Sequence, residues 1–200
     1  AVAGADLVQE NGPERIEFKQ QLWARIETSV PKHALLLSSS SARPATEQAK
    51  DMRDPSRMLV GHPFNPPHLI PLVEVVPGEK TGEEAVTDAA AFYTALGKVA
   101  RIVRKEISGF VVNRLQRAIF REACNLVIKG VVKADELDDI VTNSVGIRWA
   151  ADGPFRSFYL GGGAGGFEHF FQQFGASLNA AWKNMDPVNL GPEEQKKIIE

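Results

Sequence analysis

An alternation of short apolar runs with helical stretches across residues 6–104, giving way to a nearly continuous helical pattern, constrains the fold more than any other feature of this chain. That rhythm is how a polypeptide builds a sheet and covers it with helices. It predicts strands near Leu7–Glu10, Ala34–Ser39, Met58–His62, Val73–Val76 and Val99–Val103. Between them, Pro13 and Glu14 open a helix carrying Ile16, Leu22, Trp23 and Ile26 at helical spacing, and an Ala-rich helix is expected over Thr81–Leu96. After Ile107, Phe110, Val111, Leu115, Ile119, Ala123 and Val127 recur on one face of a helix that begins at Gly109 and ends at Gly130. Lys133–Leu137 starts another, and further helices are expected over Gly166–Phe174 and Pro192–Ile199. The first part is therefore read as α/β over residues 1–106 and the second as all-helical over 107–200, with no internal repeat.

The bulk numbers narrow the partners. The 200 residues are 44% hydrophobic and 24% charged, enough to bury a core and unlike a disordered or fibrous chain. With 23 basic against 25 acidic residues, a net charge of -2 gives no pull towards nucleic acid or an anionic membrane, so a small-molecule partner is expected. The longest apolar runs, such as Ala34–Leu37 and Leu69–Val76, are too short or too interrupted by proline to span a bilayer. A single cysteine, Cys124, rules out an internal disulfide and suits a reducing, cytoplasmic compartment; within its apolar helical pattern it reads as a buried, inert thiol. The chain opens on Ala1 without a methionine and runs at once into a strand pattern, so a preceding segment is expected, and no secretory signal is present.

The densest unusual stretch is Gly61–Glu74, where four prolines stiffen a loop between two expected strands. His62 ends the first strand and Glu74 lies in the next, so neighbouring strands could bring imidazole and carboxylate into hydrogen-bond reach. Such a pair fixes the imidazole tautomer and stabilises its protonated form, as a base that removes a hydroxyl proton requires. The spacing fits equally well a satisfied strand-end histidine and an exposed edge charge. Ser38–Ser41 follows the run Leu35–Leu37, and ligands of open α/β sheets collect at the carboxyl ends of strands, although a polar turn capping the next helix is the commoner meaning of such a cluster. Asn113 sits in the first part of an expected helix, where asparagine has poor propensity, and its amide could donate to a carbonyl oxygen or simply face solvent. Gly161–Gly166 lacks the strand context and spacing of a phosphate cradle and reads as a flexible loop between helices. No metal site is expected.

In their order and spacing, the serine cluster, the His62-Pro63-Phe64-Asn65-Pro66 block with Glu74 twelve residues after its histidine, and the Gly109-Phe110-Val111-Val112-Asn113-Arg114-Leu115 segment resemble the 3-hydroxyacyl-CoA dehydrogenase superfamily over nearly the whole chain. Within it, Gln9-Glu10, Pro13-Glu14, Val103–Ile107 and Gly146–Ala150 are similar to the lambda-crystallin/L-gulonate 3-dehydrogenase and L-carnitine dehydrogenase branches. The resemblance implies the C-terminal part of a Rossmann-type dinucleotide-binding domain over residues 1–106, followed by an all-helical substrate and dimerisation domain over 107–200. It implies His62 as catalytic base, Glu74 as its partner, and Ser41 and Asn113 as holders of the reacting oxygen and its neighbours. It also implies NAD as cofactor, with Glu14, Lys19, Ser41 and Asn65 near its nicotinamide and ribose. The family's opening strand, its G-x-G-x-x-G turn for the pyrophosphate and the acidic residue that selects NAD are not in this sequence, so the chain reads as the C-terminal part of a longer polypeptide that by itself binds dinucleotide weakly.

For the substrate, Arg148 decides more than its neighbours, because a guanidinium near a cleft suits a free carboxylate. That favours oxidation of the 3-hydroxyl of a small 3-hydroxy acid, with a 3-hydroxyacyl-CoA of fatty-acid metabolism as the alternative. Arg148 is also readable as a surface residue in a helix-terminal loop. A non-catalytic, crystallin-like structural role ranks below both, because His62, Glu74, Ser41 and Asn113 are all present. Phe167, Phe170, Phe171 and Phe174 give the helical part apolar faces that short helices do not easily cover, which predicts either a homodimer through that part or packing against the helix from Gly109.

Overall fold

A computed structural model describes residues 2–183, 185, 187, 188 and 190–199. The chain divides into two compact units, residues 1–116 and 117–200.

The first unit is built on five strands lying side by side in chain order: β1 (Leu7–Glu10), β2 (Leu35–Ser38), β3 (Met58–Pro63), β4 (Leu72–Pro77) and β5 (Val99–Ile102). β1, β2 and β3 run parallel, β4 runs antiparallel to β3, and β5 runs parallel to β4. The reversal of β4 and β5 thus brings the amino end of β4 to the edge where β1 to β3 have their carboxyl ends.

Helices cover both faces, so the central strands are apolar in both parities rather than alternating. On one face Leu36, Met58, Val60 and Val76 pack with Trp23 of α1 (Ile16–Glu27), Ala45 of α2 (Ala45–Gln48), Val103 and Phe110. On the other, Leu37, Leu59, Val73 and Val75 pack with Ala85, Ala89 and Tyr93 of α3 (Glu83–Ala95). Each fully buried side chain of this size contributes about 1.5–3 kcal/mol by leaving water. The buried indole of Trp23 donates to Gln48 Oε1 at 3.1 Å, so its polar edge is satisfied.

α1 starts at Ile16 rather than at Pro13, because the Glu14 carboxylate is held by the turn after β2 and the chain enters the helix only after Arg15. α4 (Val112–Ile128) likewise starts three residues later than Gly109: Gly109 and Phe110 take φ values of 78° and 49°, which no right-handed helix accepts. α4 begins in the first unit and continues into the second.

In the second unit follow α5 (Ala134–Thr142), α6 (Val145–Ala151), α7 (Gly153–Gly161), a 3-10 turn at Gly163–Gly165, α8 (Gly166–Lys183) and α9 (Pro192–Ile199). α6 and α7 fall where the sequence analysis marked no helix; Gly146, Gly153 and Pro154, residues that break a helix in its middle, sit in their first turns. Arg148 is accordingly a residue of α6, not of a terminal loop. Two phenylalanines of α8 pack on α7: Phe170 lies 5.3 Å from Phe158 and Phe167 5.7 Å from Tyr159, between ring centroids. Among the described residues of this unit, the only buried apolar side chains are Cys124 and Phe170.

Gly61 shows how tightly the α3 face is fitted. A methyl group there would collide with the phenol oxygen of Tyr93, which passes over β3 to donate to Gln9 Oε1 at 2.6 Å. Burial pushes the Tyr93 phenol far up, against a smaller opposing effect of the Gln9 bond, so the hydroxyl remains a donor. Gly61→Ala is expected to lower stability by about 1–3 kcal/mol; a urea denaturation midpoint equal to that of the wild type would contradict this fit.

Candidate active site

The antiparallel register places His62 directly opposite Glu74, as it places Val60 opposite Val76. Period-two alternation then turns both side chains to the Trp23 face. β1 and β2 follow the same parity: Glu10 points the way of Val8, and Ser38 the way of Leu36. Four polar side chains therefore line one edge of one face, where the parallel strands end and ligands of such sheets collect.

His62 Nδ1 lies 3.0 Å from Glu74 Oε2, and both residues are almost fully buried. The other carboxylate oxygen, Oε1, accepts the backbone N–H groups of Val111 and Val112, each at 3.0 Å. Those are amides that the start of α4 would otherwise leave unpaired, and a negative charge at a helix amino end is favourable. The left-handed turn at Gly109 and Phe110 aims them. Burial, the largest single influence on Glu74, opposes ionisation, but the hydrogen bond from His62 and those from the Val112 and Val111 amides together outweigh it and hold the carboxyl below its ordinary value of 4.5. An ionised carboxylate only accepts, so the His62 proton sits on Nδ1 and Nε2 of the neutral ring is left as the acceptor. Nε2 has no hydrogen-bond partner among the described residues. The imidazole is bracketed by Phe64, at 4.5 Å between ring centroids, and by the buried Phe110 at 5.4 Å.

Of the remaining expected residues, Asn113, Ser41 and Glu14 are linked to one another by hydrogen bonds, and Lys19, Asn65 and Arg148 lie outside that chain. Asn113, on the first turn of α4, donates through Nδ2 to the Ser41 carbonyl at 3.0 Å, so its partner is the protein's own backbone. The Ser41 N–H donates to Glu14 Oε1 at 2.9 Å, and Ser40 Oγ donates to Glu14 Oε2 at 2.6 Å. Ser40 Oγ also accepts the Arg43 N–H at 2.9 Å, which is the turn role that serine clusters commonly have. Ser41 Oγ is exposed and has no partner among the described residues. Lys19 is buried against Glu10, Nζ to Oε2 2.8 Å. Asn65 is exposed in the loop just past β3. Arg148 is exposed on α6, in the other unit, and has no ion pair among the described residues.

The sequence marked Ser38 within the serine cluster and Glu10 and Phe110 within motifs, but gave none of them a role in the site, and it did not show the two amides that hold Glu74. For Glu10 and Ser38 a signal existed: each is a polar residue at the core-facing parity of an apolar strand. For Phe110 there was none, because an aromatic residue gives no hint of a positive φ.

Two family models match: 3-hydroxyacyl-CoA dehydrogenase, NAD binding domain, over residues 1–107, and 3-hydroxyacyl-CoA dehydrogenase, C-terminal domain, over residues 109–198. The chain is 44% identical to an L-carnitine dehydrogenase of Streptomyces coelicolor, covering 100% of this chain and 63% of that protein. It is 46% identical to a 3-hydroxyacyl-CoA dehydrogenase of Gibberella moniliformis over 92% of this chain and 58% of that one. Among solved structures, 5-formyl-3-hydroxy-2-methylpyridine 4-carboxylic acid 5-dehydrogenase, described as an NAD+-dependent dismutase, superposes with a TM-score of 0.85 at 34% identity, over 95% of this chain and 60% of that one. The chain thus spans about three fifths of the length of these relatives. The fold is accordingly α/β of the Rossmann type with helices following it.

A depressed Glu74 pKa contributes stability that is present above the unfolded-state value and fades as pH falls through the lower folded-state value. The stability difference between the wild type and Glu74→Gln is therefore expected to hold steady above pH 4.5 and to shrink below it. Urea denaturation across that range measures it, and a difference independent of pH would refute the assignment.

Proposed function

We propose, because the chain belongs to the 3-hydroxyacyl-CoA dehydrogenase family, that it carries the catalytic part of an NAD-dependent dehydrogenase oxidising the 3-hydroxyl of a small 3-hydroxy acid. The observation that carries this reading is the placement of His62: its Nδ1 lies 3.0 Å from Glu74 Oε2, which argues for the proton on Nδ1, and its Nε2 has no partner among the described residues, beside the rings of Phe64 and Phe110 at the carboxyl edge of the parallel strands. In this reading Nε2 accepts the proton of the substrate 3-hydroxyl. Glu74 stabilises the resulting imidazolium and keeps the ring from turning, while Phe64 and Phe110 keep water from the acceptor nitrogen. Ser41 Oγ holds the reacting oxygen, and Asn113 fixes the Ser41 backbone that presents it.

The same edge fits a nicotinamide and its ribose, because it offers the free Ser41 hydroxyl, the exposed Glu14 carboxylate and the exposed Asn65 amide. Lys19 belongs to the wall beneath them. When bound, NAD supplies the acceptor for the C3 hydride, and the protein supplies alignment and charge. Residues 1–106 serve the cofactor side and residues 107–200 the substrate side and dimerisation.

Arg148 would take the substrate carboxylate by a charge-assisted pair, and the kinship to L-carnitine dehydrogenases supports a free acid of this kind. A 3-hydroxyacyl-CoA is the second reading, favoured by the likeness to the Gibberella moniliformis enzyme. NADH formation by the full-length protein with a panel of 3-hydroxy acids and 3-hydroxyacyl-CoAs separates the two. His62→Gln is expected to lower kcat by about 100- to 10,000-fold; retention of wild-type turnover defeats the reading. Arg148→Ala that leaves turnover of free acids unchanged defeats the carboxylate assignment.

The helical unit supports a homodimer: Phe155, Leu160 and Trp182 are 79%, 57% and 63% exposed, more apolar surface than a soluble monomer usually shows. A cytoplasmic location accords with the lone buried thiol; among the described residues no helix is long and apolar enough to cross a membrane. Sedimentation is expected to give a dimer, and a monomer at micromolar concentration would remove that part of the proposal.

A further inference from the structure

Lys19 and Glu10 are 1% and 5% exposed, on a sheet face otherwise packed by Trp23, Leu36 and Val60. A buried ion pair persists only where its hydrogen-bonding groups are satisfied, because desolvation offsets the attraction. Here they are satisfied. Lys19 Nζ donates to Glu10 Oε1 at 3.0 Å, to Oε2 at 2.8 Å and to the Gly12 carbonyl at 3.4 Å, which uses all three of its donors. Glu10 Oε1 also accepts the Gly12 N–H at 2.5 Å, and Oε2 accepts the Ser38 hydroxyl at 2.8 Å. Ser38 Oγ in turn accepts the Ser40 N–H at 3.3 Å.

The carboxylate thereby ties two loops together from below: the segment after β1, through Gly12, and the turn after β2, through Ser38. The Glu14 carboxylate clamps the same two segments from above, through Ser40 Oγ and the Ser41 N–H. Glu14 can make that clamp only if the segment that carries it keeps its distance from the serine turn, and Glu10 sets that distance. We propose that Glu10 is a positioning residue for the cofactor side of the site, holding Lys19, Gly12 and Ser38 so that Glu14 and the Ser41 hydroxyl are presented to the dinucleotide. Lys19 then acts on the cofactor through Glu10 rather than by touching it, since no donor of its ammonium is left over. The cofactor part of this inference rests on the NAD reading above; the loop-spacing part does not.

Hydrogen exchange at the Ser41 amide, which bonds to Glu14 and not to Glu10, reads the spacing without any ligand. Ser38→Ala removes the Glu10 carboxylate's bond to the end of β2 without stranding a charge, and leaves the Ser39 N–H and Oγ bonds to the Glu10 carbonyl in place. It is expected to speed exchange at Ser41 by about tenfold or more, while the Leu59 and Val75 amides of the central strands keep their protection. Glu10→Gln, which leaves Lys19 buried with no counter-charge, is expected to do the same if it folds; Ser38→Ala decides the matter if it does not. Unchanged protection at Ser41 in Ser38→Ala overturns the proposal. In the full-length protein, Ser38→Ala is expected to raise the KM for NAD several-fold, beyond any fall in kcat, and a fall in kcat at unchanged KM also overturns it. If the wild-type full-length protein does not bind NAD, the function proposed above fails, and the Ser41 exchange rate alone decides whether Glu10 sets the loop spacing.

Discussion

The site depends on one carboxylate used twice. Glu74 gives one oxygen to the imidazole of His62 and the other to two amides at the start of α4. The first contact fixes which ring nitrogen bears the proton, and the second fixes where α4 begins, hence where Asn113 sits and which carbonyl it holds. Because both oxygens are occupied, the carboxylate stays ionised although its side chain is buried. A carboxylate with only one of these partners would be a poorer anion in so dry a place, and the imidazole would lose its fixed tautomer with it.

The rest of the edge is organised around similar economies. Glu10 binds Gly12 after β1 and Ser38 at the end of β2, and Glu14, itself after β1, binds Ser40 and Ser41 in the turn after β2, so with Glu74 three acidic side chains organise this edge. None of the three faces another acid as a direct partner; each meets a cation, an imidazole, hydroxyls or backbone amides. His62 Nε2 and Ser41 Oγ have no hydrogen-bond partner among the described residues.

Much of this was legible in the sequence. The five strands and α3 follow from apolar runs and punctuation, and the His62 to Glu74 spacing allowed the facing pair, because parity within a strand is a local property. What local pattern does not carry is the backbone that breaks a rule for a purpose. Val111 looks like the interior of a helix starting at Gly109, yet the left-handed conformations of Gly109 and Phe110 put its amide outside that helix and on Glu74. Glu14 looks like the first turn of a helix, yet its partners, Ser40 and Ser41, lie 26 and 27 residues away, a contact that no periodicity encodes. α6 and α7 were not marked, and glycine and proline, which would stop a helix in its middle, sit in their first turns.

The antiparallel step from β3 to β4 also decides how far apart in the chain the residues of this edge lie. By folding back on β3, β4 places His62 and Glu74 within one uninterrupted segment, Met58–Pro77, whereas Glu14, Lys19 and Ser41 come from segments that precede it. The facing pair therefore depends on a register set locally, while the loops beside it are held to one another by bonds between residues far apart in the chain.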